Sequence, residues 1–168
     1  MRILCIATHP DDETIGCGGT LLRHIAEGDS VSWLIVTETA IADYGAAMHA
    51  KRAKQIESVA ARYGFASRRE LKFPATRLSE IDERDLVGAF AAVLNDLEPD
   101  VIYLNHGGDV HSDHRVAFDA IMSAAKPFRV GKRIRQILSY ETISETEQKS
   151  PVSPMPFIPN HFVDVSAY

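Results

Sequence analysis

Met1-Arg2-Ile3-Leu4-Cys5-Ile6-Ala7-Thr8-His9-Pro10-Asp11-Asp12-Glu13-Thr14 opens the chain, and the order of its parts decides the fold. Ile3 to Ala7 is an apolar run of strand length, which sets the first strand at about 2–7. It is too short for the apolar region of a signal peptide. His9-Pro10-Asp11-Asp12 follows at once, where a small-residue cleavage site would be needed. From Thr14 to about Glu27 the period becomes helical: Leu21, Leu22, Ile25 and Ala26 share a face, and Gly28 stands at the stop. Strand, polar loop and helix in that order begin a βα unit.

The same alternation continues outward. Further strands are expected at about 31–37, 70–73, 101–104 and 134–140. A second helix, about 48–63, buries Ile56, Val59, Ala60 and Tyr63 and ends at Gly64. The third, about 82–97, carries Leu86, Phe90, Val93, Leu94 and Leu97 on one stripe. The fourth, about 113–126, stops at Lys126-Pro127, because the residue before proline is pushed out of the α region. Ser144–Pro159, with Pro151, Pro154, Pro156 and Pro159, reads as an irregular surface segment, and Phe162-Val163-Asp164-Val165 as the start of a last strand. The fold class that follows is α/β, a Rossmann-like three-layer sandwich with a mostly parallel central sheet.

The chain has 168 residues, 45% hydrophobic and 24% charged, which is the size and balance of one globular domain that needs no disulfide framework. Its 18 Lys+Arg stand against 23 Asp+Glu, a net charge of -5, so no global positive field draws in nucleic acid or an anionic membrane. No window approaches the roughly 20 apolar residues of a membrane span. A cytoplasmic protein without stable membrane association is expected. Cys5 and Cys17 form no C-x-x-C pair and read as reduced thiols. A homo-oligomer is left open.

In an open α/β sheet, ligands gather beyond the carboxyl ends of the strands. Two loops there are rich in acid/base and metal-binding side chains: Thr8-His9-Pro10-Asp11-Asp12-Glu13, and His106-Gly107-Gly108-Asp109-Val110-His111-Ser112-Asp113-His114. A zinc ion used for hydrolysis commonly takes three His or carboxylate ligands and leaves a position open. His9, Asp12 and His114 could supply that set, with Asp11 beside it as the base that takes a proton from the attacking water. Each cluster alone also has a plain structural reading. Asp12 could cap the helix after it, and His111 and His114 could be a polar helix start with Asp113 as cap. Both clusters follow apolar strands on one edge of the sheet, which capping does not require.

Gly16, Gly18 and Gly19, with Glu38 at the end of the second strand, raise a nucleotide-binding alternative. Position 21 is Leu, so G-x-G-x-x-G is absent, and the glycines come several residues after the strand. Small residues at 16–19 instead suit close packing of the first helix on the sheet. A metal-dependent phosphoesterase is the other alternative, although it generally favours two metals and no second ligand cluster stands out.

His9-Pro10-Asp11-Asp12-Glu13 followed by Gly18-Gly19-Thr20, together with Asp109-x-His111-x-Asp113-His114, resembles the paired signature of the PIG-L/LmbE-like zinc-dependent N-deacetylases. The resemblance implies a hydrolase that removes acetyl from an N-acetylglucosamine-type sugar, a small-molecule substrate. It implies one ion per chain, zinc or another divalent transition metal, on His9, Asp12 and His114. Asp11 becomes the general base, and His111 stabilises the oxyanion with Asp113 orienting and charging it. Arg52 resembles a substrate-contacting Arg-x-x-Glu in which Gln55 replaces the glutamate. Tyr44, His49, Arg77 and Asn105 lie on or near loops facing the same place, with Asn105 a further expected substrate contact. Residues 1–168 then form a single deacetylase domain. Family members continue past the segment corresponding to Pro159–Val165, so a C-terminal helical segment is expected to be missing.

Overall fold

β1 (Arg2–Ala7) lies at the centre of a five-stranded sheet, flanked by β2 (Ser30–Glu38) and β4 (Val101–Asn105). β3 (Ser67–Pro74) and β5 (Gln136–Tyr140) are the edges, giving the order β3-β2-β1-β4-β5, with every ladder parallel. The computed structural model describes residues 1–128, 133–143, 145–148, 150 and 155–168. Among the described residues, four α-helices connect the strands: α1 (Asp12–Ala26), α2 (Ile41–Tyr63), α3 (Glu83–Leu97) and α4 (Ser112–Ala124).

Ile3, Leu4, Cys5 and Ile6 are all buried because helices cover both faces of the sheet, which is why β1 is apolar without alternation. Leu4, Ile6, Leu34 and Ile102 pack with Leu86, Phe90, Leu94 and Ile121 of α3 and α4. On the other face, Ile3, Cys5, Val31 and Tyr103 meet Leu21 of α1, while Trp33 and Ile35 meet Ile56 and Val59 of α2. This is the three-layer sandwich expected. Among the described residues, no helix is long and apolar enough to cross a membrane.

The glycines of α1 are there for contact. A methyl on Gly16 would collide with the Tyr140 ring and the Glu141 carbonyl, and one on Gly18 would meet the Tyr63 hydroxyl. Cys5 and Cys17 are free and buried, their sulfurs 3.8 Å apart.

Several boundaries differ from expectation. α2 begins at Ile41 rather than near 48, because a short helical piece precedes a break at Gly45, whose φ of 79° is open to glycine. β3 starts at Ser67 rather than 70, its first half being polar and half-exposed at the sheet edge. Ala26 is exposed and adds nothing to the buried face of α1. The last strand does not form: Phe162–Val165 is irregular chain lying on α1. There Val165 packs on Gly19, Asp164 accepts from Arg23 through its carbonyl, and Phe162 is 80% exposed. The described part of the expected irregular segment is irregular, while 144, 149 and 151–154 lie outside the described residues.

Candidate functional site

The strand order reverses between β1 and β4, and the crevice beyond their carboxyl ends is where open α/β sheets bind ligands. The parallel register Ile3↔Val101 to Ile6↔Leu104 brings both strand ends, and their two loops, to the same level. Asn105 fastens the loops together. Its Oδ1 accepts from the Thr8 N–H at 3.1 Å and the Thr8 hydroxyl at 2.9 Å, while its Nδ2 donates to the Thr142 hydroxyl at 3.0 Å. At 2% exposure with its amide engaged, Asn105 lies beneath the site, which corrects the expectation that it meets substrate.

Neither cluster is a plain cap. Asp11, not Asp12, holds the N-cap position of α1, and its side chain makes no capping bond. The Asp12 carboxylate instead accepts from the His9 N–H at 2.7 Å and turns inward. His111, not Asp113, caps α4, its Nδ1 accepting from the Asp113 N–H at 3.1 Å.

His9 Nδ1, His114 Nε2 and Asp12 Oδ2 form a triangle with edges of 3.2, 3.4 and 3.7 Å. Ligand atoms about 2.0–2.1 Å from a tetrahedral zinc lie about 3.3 Å apart, so the triangle matches one face of such a site. The outer nitrogens settle what the inner ones can do. His114 Nδ1 lies 2.8 Å from Asp109 Oδ2, and His9 Nε2 lies 3.2 Å from Asp113 Oδ2. Each carboxylate draws the ring proton outward, leaving two lone pairs and a carboxylate oxygen facing one point. A cation is what such a point accepts. Burial opposes charge on His114, but its bonds to Asp109 and Asp12 outweigh burial and push it up to about 9, so at neutral pH Nε2 carries a second proton toward Asp12, and a cation at the triangle would displace that proton to reach the lone pair. Burial likewise raises Asp12, yet the His114 bond and the His114 and His9 charges hold it below the usual carboxylate range. The three rings of His9, His111 and His114 also bring nitrogens within 4.8 Å of one another, an all-imidazole alternative donor set.

Asp113 departs from its expected partner. Its carboxylate serves His9 and accepts the N–H groups of Thr76 at 2.6 Å and Leu78 at 3.2 Å, while only its backbone N–H reaches His111. His111 is held below its ordinary value by burial and by the charges of His9 and His114.

A cleft of about 400 Å³ opens over the triangle, lined by Asp11, Arg52, Tyr44, Thr76, His111 and Glu145 among others. The Asp11 side chain is 55% exposed, and among the described residues Arg52 Nη1, at 3.9 Å, is the cation within reach of it. Arg77 does not line the cleft, and His49 lines a neighbouring groove. Sequence reasoning missed Asp109 as the partner of His114 and the Thr76 and Leu78 N–H groups; an aspartate in the same loop, five residues before a candidate ligand, was the available signal for the first.

The family model described as PIG-L, GlcNAc-PI de-N-acetylase, matches residues 4–125, a span that contains both loops. The chain belongs to the PIG-L family. Relatives include the uncharacterized deacetylase YaiS of Escherichia coli (strain K12), 29% identical over 147 residues covering 84% of this chain and 74% of that protein. The 1D-myo-inositol 2-acetamido-2-deoxy-alpha-D-glucopyranoside deacetylase of Mycobacterium avium is 33% identical over 144 residues. That match covers 67% of this chain and 47% of the relative, so the chain spans about half of that protein's length. Among solved structures, the conserved protein TT1542 of Thermus thermophilus superposes with a TM-score of 0.79 at 28% identity, covering 98% of this chain and 72% of the other. The N,N'-diacetylchitobiose deacetylase of Pyrococcus horikoshii shares the fold, with a TM-score of 0.71 at 23% identity over 98% of this chain and 64% of that one.

The PIG-L assignment agrees with what the glycines of α1 do. Gly16, Gly18 and Gly19 are filled against Tyr140, Tyr63 and Val165, which leaves them no room to cradle a pyrophosphate.

Proposed function

We propose that this PIG-L chain is a metal-dependent hydrolase that removes the acetyl group from an N-acetylglucosamine-type sugar or sugar conjugate. His9, Asp12 and His114 would hold one zinc or another divalent transition metal. The observation that carries the reading is the triangle of three electron-pair donors, with both imidazoles pinned from outside by buried carboxylates.

A bound divalent ion supplies Lewis acidity toward the acetamide carbonyl and makes water more acidic. The chain's own groups do the rest. Asp11, exposed in the cleft beside Asp12, takes the proton of the water whose oxygen attacks the carbonyl carbon, and returns it to the nitrogen as the C–N bond breaks. The products are acetate and the free amine. His111 accepts the Asp113 N–H at Nδ1, so its neutral ring carries its proton on Nε2, ready to donate to the oxyanion. It acts here as a neutral donor rather than as the imidazolium expected from sequence. Arg52, on the cleft wall, is the proposed contact to the sugar.

Among the described residues, two-metal phosphoester chemistry finds no second centre beside the triangle. The other His/carboxylate group among the described residues, His24, Glu27 and Asp29, lies at the opposite end of the sheet, and both His24 nitrogens are engaged by Asp29 and Tyr103. Acetate release from N-acetylglucosamine and its conjugates, with added zinc and with chelator, tests the reading. Zinc-dependent release supports it; metal-loaded protein that releases no acetate from any N-acetyl sugar overturns it.

A further inference from the structure

A second groove of about 350 Å³ runs off the cleft between β3 and α2, sharing Pro10, Thr37, Thr39 and Arg52 with it. Each space is near the lower size limit of ligand pockets, so together they suit a substrate in two parts. One side of the groove is built from Arg68 and Glu70, alternate residues that a strand turns to the same face, and from Lys72 just beyond them in β3.

The charges do not cancel evenly. Arg68 bridges Glu57 at 2.6 Å and Glu70 at 2.9 Å, and Glu38 stands 3.8 Å from His49. Among the described residues, no carboxylate lies within ion-pair distance of the Lys54 or Lys72 amine, and Arg52 reaches only Asp11, at 3.9 Å. The lining holds four Lys/Arg against three Glu, and Asp11 beside Arg52 makes a fourth carboxylate, so among the described residues Lys54 and Lys72 are the lining cations without an ion-pair partner.

The backbone supplies an independent observation. Ile35 pairs with Glu70 and Thr37 with Phe73, so Leu71 and Lys72 together stand opposite Val36 in a bulge. Lys72 holds that bulge with φ of 59°, a left-handed conformation in which a side chain is strained and glycine is not. Strain of this kind is held in place by the surrounding structure and gathers beside binding sites.

We propose that this groove is an anion subsite that receives a phosphoryl substituent on the amino sugar, held by Lys72 and Lys54 with Arg52 at the junction of the two spaces. The proposal rests on the reading of the cleft as a sugar deacetylase site. It assigns the groove a share in substrate choice.

The test compares N-acetylglucosamine with its 1-phosphate and 6-phosphate, by calorimetric binding and by acetate release. One phosphorylated sugar should bind about tenfold more tightly than the neutral one, with the advantage shrinking as salt rises. Lys54→Gln and Lys72→Gln should each remove about fivefold of that advantage and leave N-acetylglucosamine unchanged. Lys72→Gly should lose the advantage too, yet melt at a higher temperature because the bulge is relaxed. Equal binding of neutral and phosphorylated sugars, or lysine variants that weaken both alike, would overturn the proposal. If no sugar of either kind binds or reacts, the deacetylase reading fails, and titration with inorganic pyrophosphate still decides the subsite. Binding that weakens in Lys72→Gln supports it, and no binding sinks it.

Discussion

Asp109 and His114 form a pair with no exposed surface on either side chain, the carboxylate 2.8 Å from Nδ1. The contact fixes the ring's rotation and keeps its proton on the side away from the candidate centre. Partners of this kind typically carry about 10–100-fold in metal affinity. Asp109→Asn should therefore bind zinc about that much more weakly while remaining folded, as read by chelator competition. Unchanged affinity would show that the pair serves packing alone.

The two donor sets are separable by metal analysis. His9→Ala, Asp12→Ala and His114→Ala should lose the ion, and His111→Ala should retain it while losing activity. Retention in Asp12→Ala with loss in His111→Ala would make the centre all-imidazole.

Asp11→Asn should keep its metal and lose deacetylation by about 10²–10⁴-fold, since an amide cannot take the water's proton. Activity within tenfold of the parent would place the base elsewhere.

Glu13 gives a pH-dependent stability. It is 1% exposed, with Oε2 unpartnered among the described residues. Burial pushes its carboxyl up to about 7, against the Thr14 hydroxyl bond and with help from the Asp12 and Asp11 charges. The folded state thus keeps the proton where the unfolded chain has released it, so stability falls as pH rises from about 4.5 to about 7. The penalty is of order 3 kcal/mol. Melting curves of Glu13→Gln should lack that decline and exceed the parent at pH 8; parallel pH profiles would count against it.

Two glycine substitutions should move stability in opposite directions. Gly16→Ala drives a methyl into Tyr140 and Glu141 and should cost about 1–3 kcal/mol. Gly88→Ala, inside α3 with nothing within 4 Å, should gain about 0.5–1 kcal/mol. Thermal melts of the two variants check both signs.

The strands buried on both faces were the most legible in sequence, and the partly exposed edge β5 was read as well, at 134–140 against Gln136–Tyr140. β1, β2 and β4 announce themselves as apolar runs, whereas the first half of β3 is a polar edge that carries no such signal. The start of α2 was hidden because Gly45 interrupts the helical period. Phe162–Val165 alternates like a strand, but the segment packs on α1 and pairs with neither edge strand of the sheet. In the site, the residues that face the cleft could be read from their types and loop positions. Their supports could not. Asp113 precedes His114 and lies two residues after His111, so sequence suggested a local partner, while the turn of α4 delivers its carboxylate to His9, 104 positions away.

That carboxylate also receives the N–H groups of Thr76 and Leu78, beyond the far edge strand β3, with Thr76 in a left-handed conformation of φ 66°. Three otherwise separate crossovers thus close on one anion, as arch stones close on a keystone. Asp113→Ala would release β3's loop, His9 and the mouth of α4 together. Lost activity in that variant would report a loosened rim of the molecule before it reported anything about proton transfer.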